Sequence, residues 1–227
     1  MSRRRTIALL PMKANSERVK GKNFKYFSGK PLFQWTLNTL LSVKEIDQVV
    51  INTDAREVLI DNGLVENDRL LIRDRRSEIC GDLVSMNLII EDDIHNTDAD
   101  IYLMTHTTNP MMKAKTVRDA LAAFNSNNAI DSLFTVDKIQ TRFYDKDCNP
   151  VNHNPDNLLR TQDLEPWYEE NSNLYIFTKN SFINTKARIG KNPMMYETPK
   201  FESIDIDTPS DWDLAVLIND YLLEREK

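Results

Sequence analysis

A dense group of cations follows the first strand signal of the sequence. Six basic residues and one acid, Glu17, lie within residues 13–30, although the whole chain carries a formal net charge of −6. Each cation offsets negative charge and lowers the cost of bringing a further anionic group close. The segment therefore suits a triphosphate, although charge alone favours a solvated lysine loop. The six cations are Lys13, Arg18, Lys20, Lys22, Lys25 and Lys30.

Neither common glycine-rich phosphate motif occurs in the chain. A Walker A loop requires Gly-x-x-x-x-Gly-Lys-Ser/Thr, and a dinucleotide fold requires Gly-x-Gly-x-x-Gly. The sequence has five glycines in total and matches neither pattern. A phosphate site in this loop would therefore depend on side-chain cations.

Two carboxylates near the end of the chain form a second candidate site. In the run Asp205-Ile206-Asp207 the aspartates are two residues apart, and residues i and i+2 of a strand project to the same side. Convergent carboxylates are ligands that Mg²⁺ prefers, together with phosphate oxygens of a substrate. The spacing predicts a magnesium site, and the alternative is an exposed strand with two solvated aspartates.

An α/β scaffold would position these residues. Short β-type runs alternate with longer helical patterns over the first 125 residues, which is typical of a mainly parallel sheet. The first predicted strand, residues 6–12, ends where the basic loop begins, and open α/β sheets bind ligands at the carboxyl ends of their strands. Further strands are predicted at residues 48–52, 70–72, 101–105, 132–136, 174–177 and 203–206. Helices are predicted from Pro31, after Thr53-Asp54, over residues 85–95 and over residues 117–124, and a last one entered at Thr208-Pro209 carries Leu214, Leu217, Ile218 and Tyr221 on one face.

One long segment lacks a helical period. Residues 145–170 are rich in Asn, Pro and Asp, which predicts extended loops and hairpins. The wider segment 137–170 is too long for an ordinary connection and is interpreted as an arm toward a partner subunit.

Composition restricts the class of protein. The chain has 227 residues, of which 41% are hydrophobic, enough for one sizeable core. The sequence pI near 5.2 argues against nucleic-acid and anionic-membrane partners. Only Cys80 and Cys148 occur, and the apolar run of residues 7–12 is too short for a signal or transmembrane segment. We therefore expect a soluble cytoplasmic protein.

Several ordered motifs resemble those of the acylneuraminate cytidylyltransferases, and together they cover nearly the whole chain. The opening motif is Leu10-Pro11-Met12-Lys13, followed by Asn15-Ser16, Lys22-Asn23 and Gly29-Lys30-Pro31-Leu32. Later matches are Val50-Ile51-Asn52-Thr53-Asp54, residues 75–82, Thr107-Thr108-Asn109-Pro110, Arg160-Thr161-Gln162-Asp163-Leu164, Asn171-Ser172-Asn173-Leu174-Tyr175 and residues 203–207. The resemblance implies a Rossmann-like three-layer nucleotidyltransferase fold, a single domain over residues 1–227, a homodimer joined by the arm, and CMP transfer from CTP to a 2-keto-3-deoxy sugar acid.

The resemblance also implies roles for individual residues. Lys13, Ser16, Lys22 and Asn23 would contact the phosphates of CTP, with Lys13 standing where the family usually has arginine. Arg75 would lie near the cytosine, and the loop through Val84 and Ser85 would contact the base. Asp205 and Asp207 would hold Mg²⁺, and Lys13, Lys22 and Asp207 would be the catalytic residues. His106, Thr108, Asn109, Arg160, Gln162, Asn171 and Tyr175 would surround the acceptor, with Arg160 pairing with its carboxylate.

Three departures from the family pattern leave alternatives open. Glu17 stands where many members have lysine, His106 replaces the usual glutamine, and Glu169-Glu170 precede Asn171 where bacterial sialic acid enzymes often have a basic residue. The acceptor could therefore be an eight-carbon sugar acid, a pseudaminic or legionaminic type acid, or a phosphonate. A catalytically degenerate protein that binds nucleotide sugars is the alternative from another class.

Overall fold

The computed structural model describes residues 3–225, so the two residues at each end of the predicted 1–227 domain lie outside the description. The strands are β1 (Thr6–Leu9), β2 (Tyr26–Phe27), β3 (Lys30–Pro31), β4 (Gln48–Thr53), β5 (Leu70–Asp74), β6 (Ile101–Met104), β7 (Ser132–Ile139), β8 (Trp167–Thr178) and β9 (Pro193–Glu197). Seven of them form one sheet in the order β5-β4-β1-β6-β8-β7-β9, while β2 and β3 form a separate hairpin. Only β8 runs antiparallel to its neighbours in this described sheet. The predicted mainly parallel α/β sheet is confirmed.

Helices cover both faces of the sheet and give it three layers. They are α1 (Leu32–Ser42), α2 (Arg56–Asp61), α3 (Met86–Asn96), α4 (Ala114–Ser126), α5 (Lys179–Thr185) and α6 (Pro209–Arg225). Ala8 of β1 and Leu10, which directly follows the strand, pack with α1, α2 and α4. Ile7 and Leu9 point to the other face, where they pack with α3 and α5. Successive side chains of a strand point to opposite faces, and both faces of the sheet are covered here, so every side chain of β1 is buried. A strand buried on both faces is expected to be apolar along its whole length.

The last helix closes over the hairpin rather than over the main sheet. Trp212 and Ala215 of α6 pack with Phe27 of β2 and with the buried Ile206. Leu214, Leu217 and Tyr221, three of the four apolar residues noted in the sequence, are more than half exposed. The helix is confirmed, but Trp212, Ala215 and Asn219 form its buried face. No helix within residues 3–225 is both long and apolar enough to cross a membrane.

The prediction of a strand at residues 203–206 is wrong. The backbone there is irregular and has no neighbouring strand in the described chain. The N–H of Ile206 instead donates to the carbonyl of Thr108 at 2.9 Å. A β ladder needs a partner strand, and in the described structure this segment is reached by a loop, the one after β6, and by side chains of the basic loop. Helix α5 and strand β9 were not anticipated.

The segment between β7 and β8 has the loop-rich character that was predicted. Strands β7 and β8 extend past the sheet as a hairpin, in which Ile139 pairs with Trp167. Between them, Tyr144 and Pro150 form an isolated antiparallel bridge, and residues 161–163 form a single 3₁₀ turn. Trp167 and Tyr168 are exposed on this projection, at 43% and 45%.

Candidate active site

A cavity of about 330 Å³ opens at the carboxyl ends of β1 and β6. Parallel strands end at the same edge of a sheet, so the loops that follow them meet there. Eight of the residues predicted from the sequence line this cavity: Lys13, Ser16, Lys22, Asn23, Arg75, Val84, His106 and Thr108. Ser85 does not line it; its hydroxyl accepts a hydrogen bond from the N–H of Asn87 at 3.3 Å and caps α3.

Asn23 joins two of the loops that form the cavity. Its side-chain amide donates to the carbonyl of Lys13 at 2.8 Å and accepts from the hydroxyl of Thr107 at 2.6 Å. The side chain is buried, with 4% of the residue exposed. Asn23 therefore positions the basic loop against the end of β6.

The side chain of Lys22 contacts the segment that precedes α6. Its ammonium group donates to the carbonyl of Ile206 at 2.6 Å and lies 3.5 Å from a carboxylate oxygen of Asp207. Burial lowers the pKa of Lys22, and the charges of Asp207 and Asp205 oppose this shift. Asp207 also pairs with Arg18 at 2.8 Å. Two cations of the loop thus lie beside the carboxylates near the end of the chain.

Asp205 and Asp207 lie together although no strand carries them. Burial raises the pKa of Asp205, and the charge of Asp207 raises it further. One carboxylate oxygen of Asp205, Oδ1, is buried without a hydrogen-bond partner in the described structure. Among residues 3–225 no group of three or more His, Cys, Asp or Glu side chains is arranged to hold a metal. The pair fits a hard cation that takes its other ligands from substrate oxygens or water.

Lys13 is paired with an acid that the sequence analysis did not single out. Its ammonium group donates to Asp82, and this contact holds the pKa of Asp82 below its usual range. Asp82 lies at the end of the 75–82 motif, in the loop that also lines the cavity. Any anionic group that entered the cavity would compete with Asp82 for Lys13.

Arg75 is held in place by a buried polar network. Its guanidinium donates to the side-chain oxygen of Asn52 at 2.9 Å, to the carbonyl of Asn52 at 2.8 Å and to that of Met12 at 3.1 Å. The amide of Asn52 donates in turn to Asp93 at 2.8 Å, and Asp93 also pairs with Arg73. Asn52 and Asp93 are almost fully buried. The sequence motif contained Asn52 without revealing this role, because the carboxylate that orients it lies on α3.

The residues predicted around the acceptor divide into two groups. Asn109, Asn171 and Tyr175 are not among the residues that line the cavity. Asn109 and Tyr175 are fully buried, and the amide of Asn171 donates to the hydroxyl of Thr198 at 2.7 Å. Arg160 and Gln162 instead lie on the exposed projection between β7 and β8. There Arg160 makes two hydrogen bonds to Asp163, at 2.6 and 3.0 Å.

Arg188 is a cation beside Tyr175 that belongs to none of the sequence motifs. Its guanidinium lies 3.9 Å from the centre of the Tyr175 ring, and one nitrogen lies 3.3 Å from Glu170. The hydroxyl of Tyr175 also donates to Glu170. Burial lowers the pKa of His106 to about 4, and the charges of Arg188 and Lys22 lower it further while Asp207 opposes them. Arg188 follows α5 in a stretch with no recognisable period or motif.

The sequence of the chain matches a known family of transferases. The family model described as cytidylyltransferase matches residues 7–221.

The chain belongs to the cytidylyltransferase family.

Individual relatives agree with this assignment. The N-acylneuraminate cytidylyltransferase of Streptococcus agalactiae is 23% identical over 97% of this chain and 55% of its own length. The CMP-N,N'-diacetyllegionaminic acid synthase of Legionella pneumophila is 26% identical over 93% of this chain and 94% of its own. The chain thus spans about half the length of the first relative and nearly all of the second. A solved CMP:2-keto-3-deoxy-manno-octonic acid synthetase has the same fold, with a TM-score of 0.68 at 15% identity over 96% of this chain and 99% of its own. The predicted family and nucleotidyltransferase fold are confirmed.

The network behind Arg75 gives a first prediction for this cytidylyltransferase. Replacing Asn52 with Ala removes one buried hydrogen-bond partner from Asp93 and one from the Nε of Arg75. An unsatisfied buried polar group costs about 1–3 kcal/mol, so we expect the free energy of unfolding to fall by about that amount in urea titrations. The matched control is Asn62→Ala, which removes an exposed amide bonded only to the carbonyl of Val58. Equal stability of the two variants would contradict the role given to Asn52.

His106 gives a second prediction, on the pH dependence of stability. An unfolded chain protonates this histidine near its ordinary pKa of about 6.5, whereas the folded chain does so only near pH 4. The unfolded state therefore binds more protons between these values, and the protein loses stability as the pH falls through them. We expect His106→Gln to reduce this loss when unfolding is measured in urea at pH 7 and pH 5. The exposed His95, replaced by Gln, is the control, and an unchanged pH dependence in His106→Gln would contradict the prediction.

Proposed function

We propose that this cytidylyltransferase transfers CMP from CTP to the anomeric hydroxyl of a 2-keto-3-deoxy sugar acid and releases pyrophosphate. The observation that carries the proposal is the meeting of Lys22 and Arg18 with Asp207 at the edge of the cavity. Cations for a triphosphate and carboxylates for a metal then lie within one site. The relatives named for sialic and legionaminic acids support a sugar acid as the acceptor.

The reaction exchanges one P–O bond for another and releases one proton. The anomeric hydroxyl oxygen attacks the α-phosphorus of CTP, the bond to the bridging oxygen of the β-phosphate breaks, and the hydroxyl proton passes to solvent. Lys13 and Lys22 stabilise the charge on the transferring and leaving phosphates, so catalysis is mainly positioning and electrostatic stabilisation. Arg75 and the loop through Val84 and Ser85 lie on the side proposed for the cytosine. Ser16 and Asn23 complete the phosphate loop.

Mg²⁺ is the proposed cofactor, held by Asp205 and Asp207. When bound it would neutralise phosphate charge. The unpartnered Oδ1 of Asp205 and the proximity of the two carboxylates support this assignment. Asp207 is paired with Arg18 and Lys22, so these cations would be freed for phosphate oxygens if Asp207 turned to a metal.

The oligomer and the compartment are further parts of the proposal. We propose a homodimer in which the arm, residues 137–170, contacts the partner subunit. The exposed Trp167 and Tyr168 on this projection support a contact surface there. Arg160 and Gln162 would then act on the acceptor across the dimer. The two free cysteines, Cys80 and Cys148, are compatible with the cytoplasm.

The acceptor class is the part of the proposal that most needs an experiment. Purified protein would be incubated with each nucleoside triphosphate, Mg²⁺ and a panel of nine-carbon and eight-carbon keto acids, including legionaminic and pseudaminic types. Pyrophosphate release and product mass would be followed. We expect pyrophosphate release with CTP and with none of the other nucleoside triphosphates, together with a product that has the mass of a CMP-sugar. Binding of CTP without release for any acid would instead favour the degenerate binding protein.

A further inference from the structure

Arg188 is a cation placed beside the proposed acceptor region with most of its donors unused. A guanidinium has five N–H donors in a planar fork. In the described structure one bond is seen for it, a long contact of 3.3 Å to Glu170. The side chain is 23% exposed, so a ligand can reach it. The remaining donors suit an oxyanion with two oxygens, such as a carboxylate.

The guanidinium is held by its surroundings rather than free in solvent. It lies 3.9 Å from the centre of the Tyr175 ring. Tyr175 is fully buried, and its hydroxyl is fixed by Glu170 and, at 3.2 Å, by Ser172. Tyr175 pairs with Met104 in the sheet, two residues before His106. The sheet therefore fixes the ring on which the guanidinium rests, and an arginine held on an aromatic face loses little freedom when it binds an anion.

His106 relates this cation to the reacting centre. His106 lines the cavity and follows Met104, the strand partner of Tyr175, by two residues, and the charge of Arg188 acts on its imidazole. In a 2-keto acid the carboxylate is bonded to the same carbon as the reacting hydroxyl. A group that binds this carboxylate must therefore lie within about one side chain of Lys22 and Asp207.

We propose that Arg188 binds the carboxylate of the sugar-acid acceptor, on the face of Tyr175, and that this carboxylate replaces Glu170 as its ionic partner. The inference rests on the proposed function and deepens it. It reassigns, within one subunit, the role that the resemblance implied for Arg160. Arg160 is engaged by Asp163 on the exposed projection, whereas Arg188 lies against the ring of Tyr175 in the main sheet.

The test compares Arg188→Gln with wild-type protein, using the acid that the wild type accepts and the same sugar with its carboxylate converted to a carboxamide. A hydrogen bond to a charged group contributes about 1.5–3 kcal/mol, so the KM for the acid should rise about 10- to 150-fold. The KM for CTP should stay within about twofold, because Arg188 does not line the phosphate loop. The wild type should bind the acid more tightly than the carboxamide, measured as substrates or as competitive inhibitors. Arg188→Gln should bind the two compounds with equal affinity.

Loss of discrimination between acid and carboxamide separates a role in recognition from a role in packing. Arg188→Lys, which keeps the charge without the fork, should recover part of the discrimination, and thermal unfolding of each variant checks the fold. Arg118→Gln, on the exposed face of α4, is the control. Undiminished discrimination in a folded Arg188→Gln protein would overturn the inference. In that case, loss of discrimination in Arg160→Gln would assign the carboxylate to Arg160 instead.

Failure of the proposed function is distinguishable from failure of this inference. If the wild type makes no CMP-sugar from any acid of the panel, the proposed function fails and the inference falls with it. If the wild type is active and Arg188→Gln still prefers the acid to the carboxamide as strongly, only the inference fails.

Discussion

Replacing Asp207 with Ala is expected to lower turnover by about 1000-fold or more while the protein stays folded. The change removes the carboxylate that lies beside Lys22 and Arg18, and with it a proposed ligand of Mg²⁺. A metal that neutralises phosphate charge contributes several kcal/mol to the transition state, and each 1.36 kcal/mol is about tenfold in rate. Lys22 keeps its bond to the carbonyl of Ile206, so the loop retains its anchor.

Two measurements test the Asp207 prediction independently of each other. Turnover is followed by pyrophosphate release, and metal affinity by calorimetric titration of Mn²⁺ in the presence of CTP. Asp213→Ala is the matched control, because Asp213 lies exposed on α6, six residues further along the chain. Near-normal turnover, or unchanged affinity for Mn²⁺, would refute the metal assignment. Circular dichroism and thermal unfolding show whether the variant is folded.

Replacing Lys22 with Met should lower turnover by about 100- to 1000-fold, the effect of removing one preorganised donor to developing negative charge. Methionine retains an unbranched stem of similar length, so the change mainly removes the ammonium group. The Lys22 side chain is 11% exposed. Its ammonium group donates to the carbonyl of Ile206 and lies 3.5 Å from a carboxylate oxygen of Asp207. Its side chain is less exposed than those of Lys13 and Arg18, the other cations of the loop that pair with an acid. Partial burial strengthens its electrostatic effect on a phosphate.

Lys20→Met is the matched control for the Lys22 prediction. Lys20 belongs to the same loop, carries the same charge and is exposed. Rates measured at saturating CTP and acceptor should fall with Lys22→Met and stay within about threefold of wild type with Lys20→Met. Equal losses in the two variants would mean that the loop acts only through its total charge.

The sequence predicted the scaffold well because the scaffold depends on local patterns. Buried β-type runs and helical periods specified β1, β4, β6 and the helices between them, and the ends of parallel strands then had to meet. The resemblance identified the family and eight residues that line the cavity. Lys22 and Asp207 lie together as expected. The strand that was predicted to carry Asp205 and Asp207 is not formed. Residues 203–207 are irregular and depend on the loop after β6.

The missed features depend on tertiary contacts that no local pattern records. Asn52 acquires its role from Asp93 on α3, forty-one residues later. Arg188 lies in a stretch without period and becomes a candidate only because the sheet places Tyr175 beside it. Strand β9 alternates exposed and half-buried residues at the edge of the sheet, which makes a weak signal. The homodimer, the metal and the part played by Arg160 stay predictions.

The bond from Lys22 to Ile206 joins residues that are 184 positions apart. A ribosome adds roughly 5–20 residues per second, so Ile206 is synthesised roughly 10 to 40 seconds after Lys22. Until then, the basic loop has neither the carbonyl that anchors its lysine nor the carboxylate that neutralises it. A nascent chain can begin to form its N-terminal strands, but the competent site can assemble only when synthesis has passed residue 206. Partly synthesised copies should therefore be unable to perform the proposed reaction.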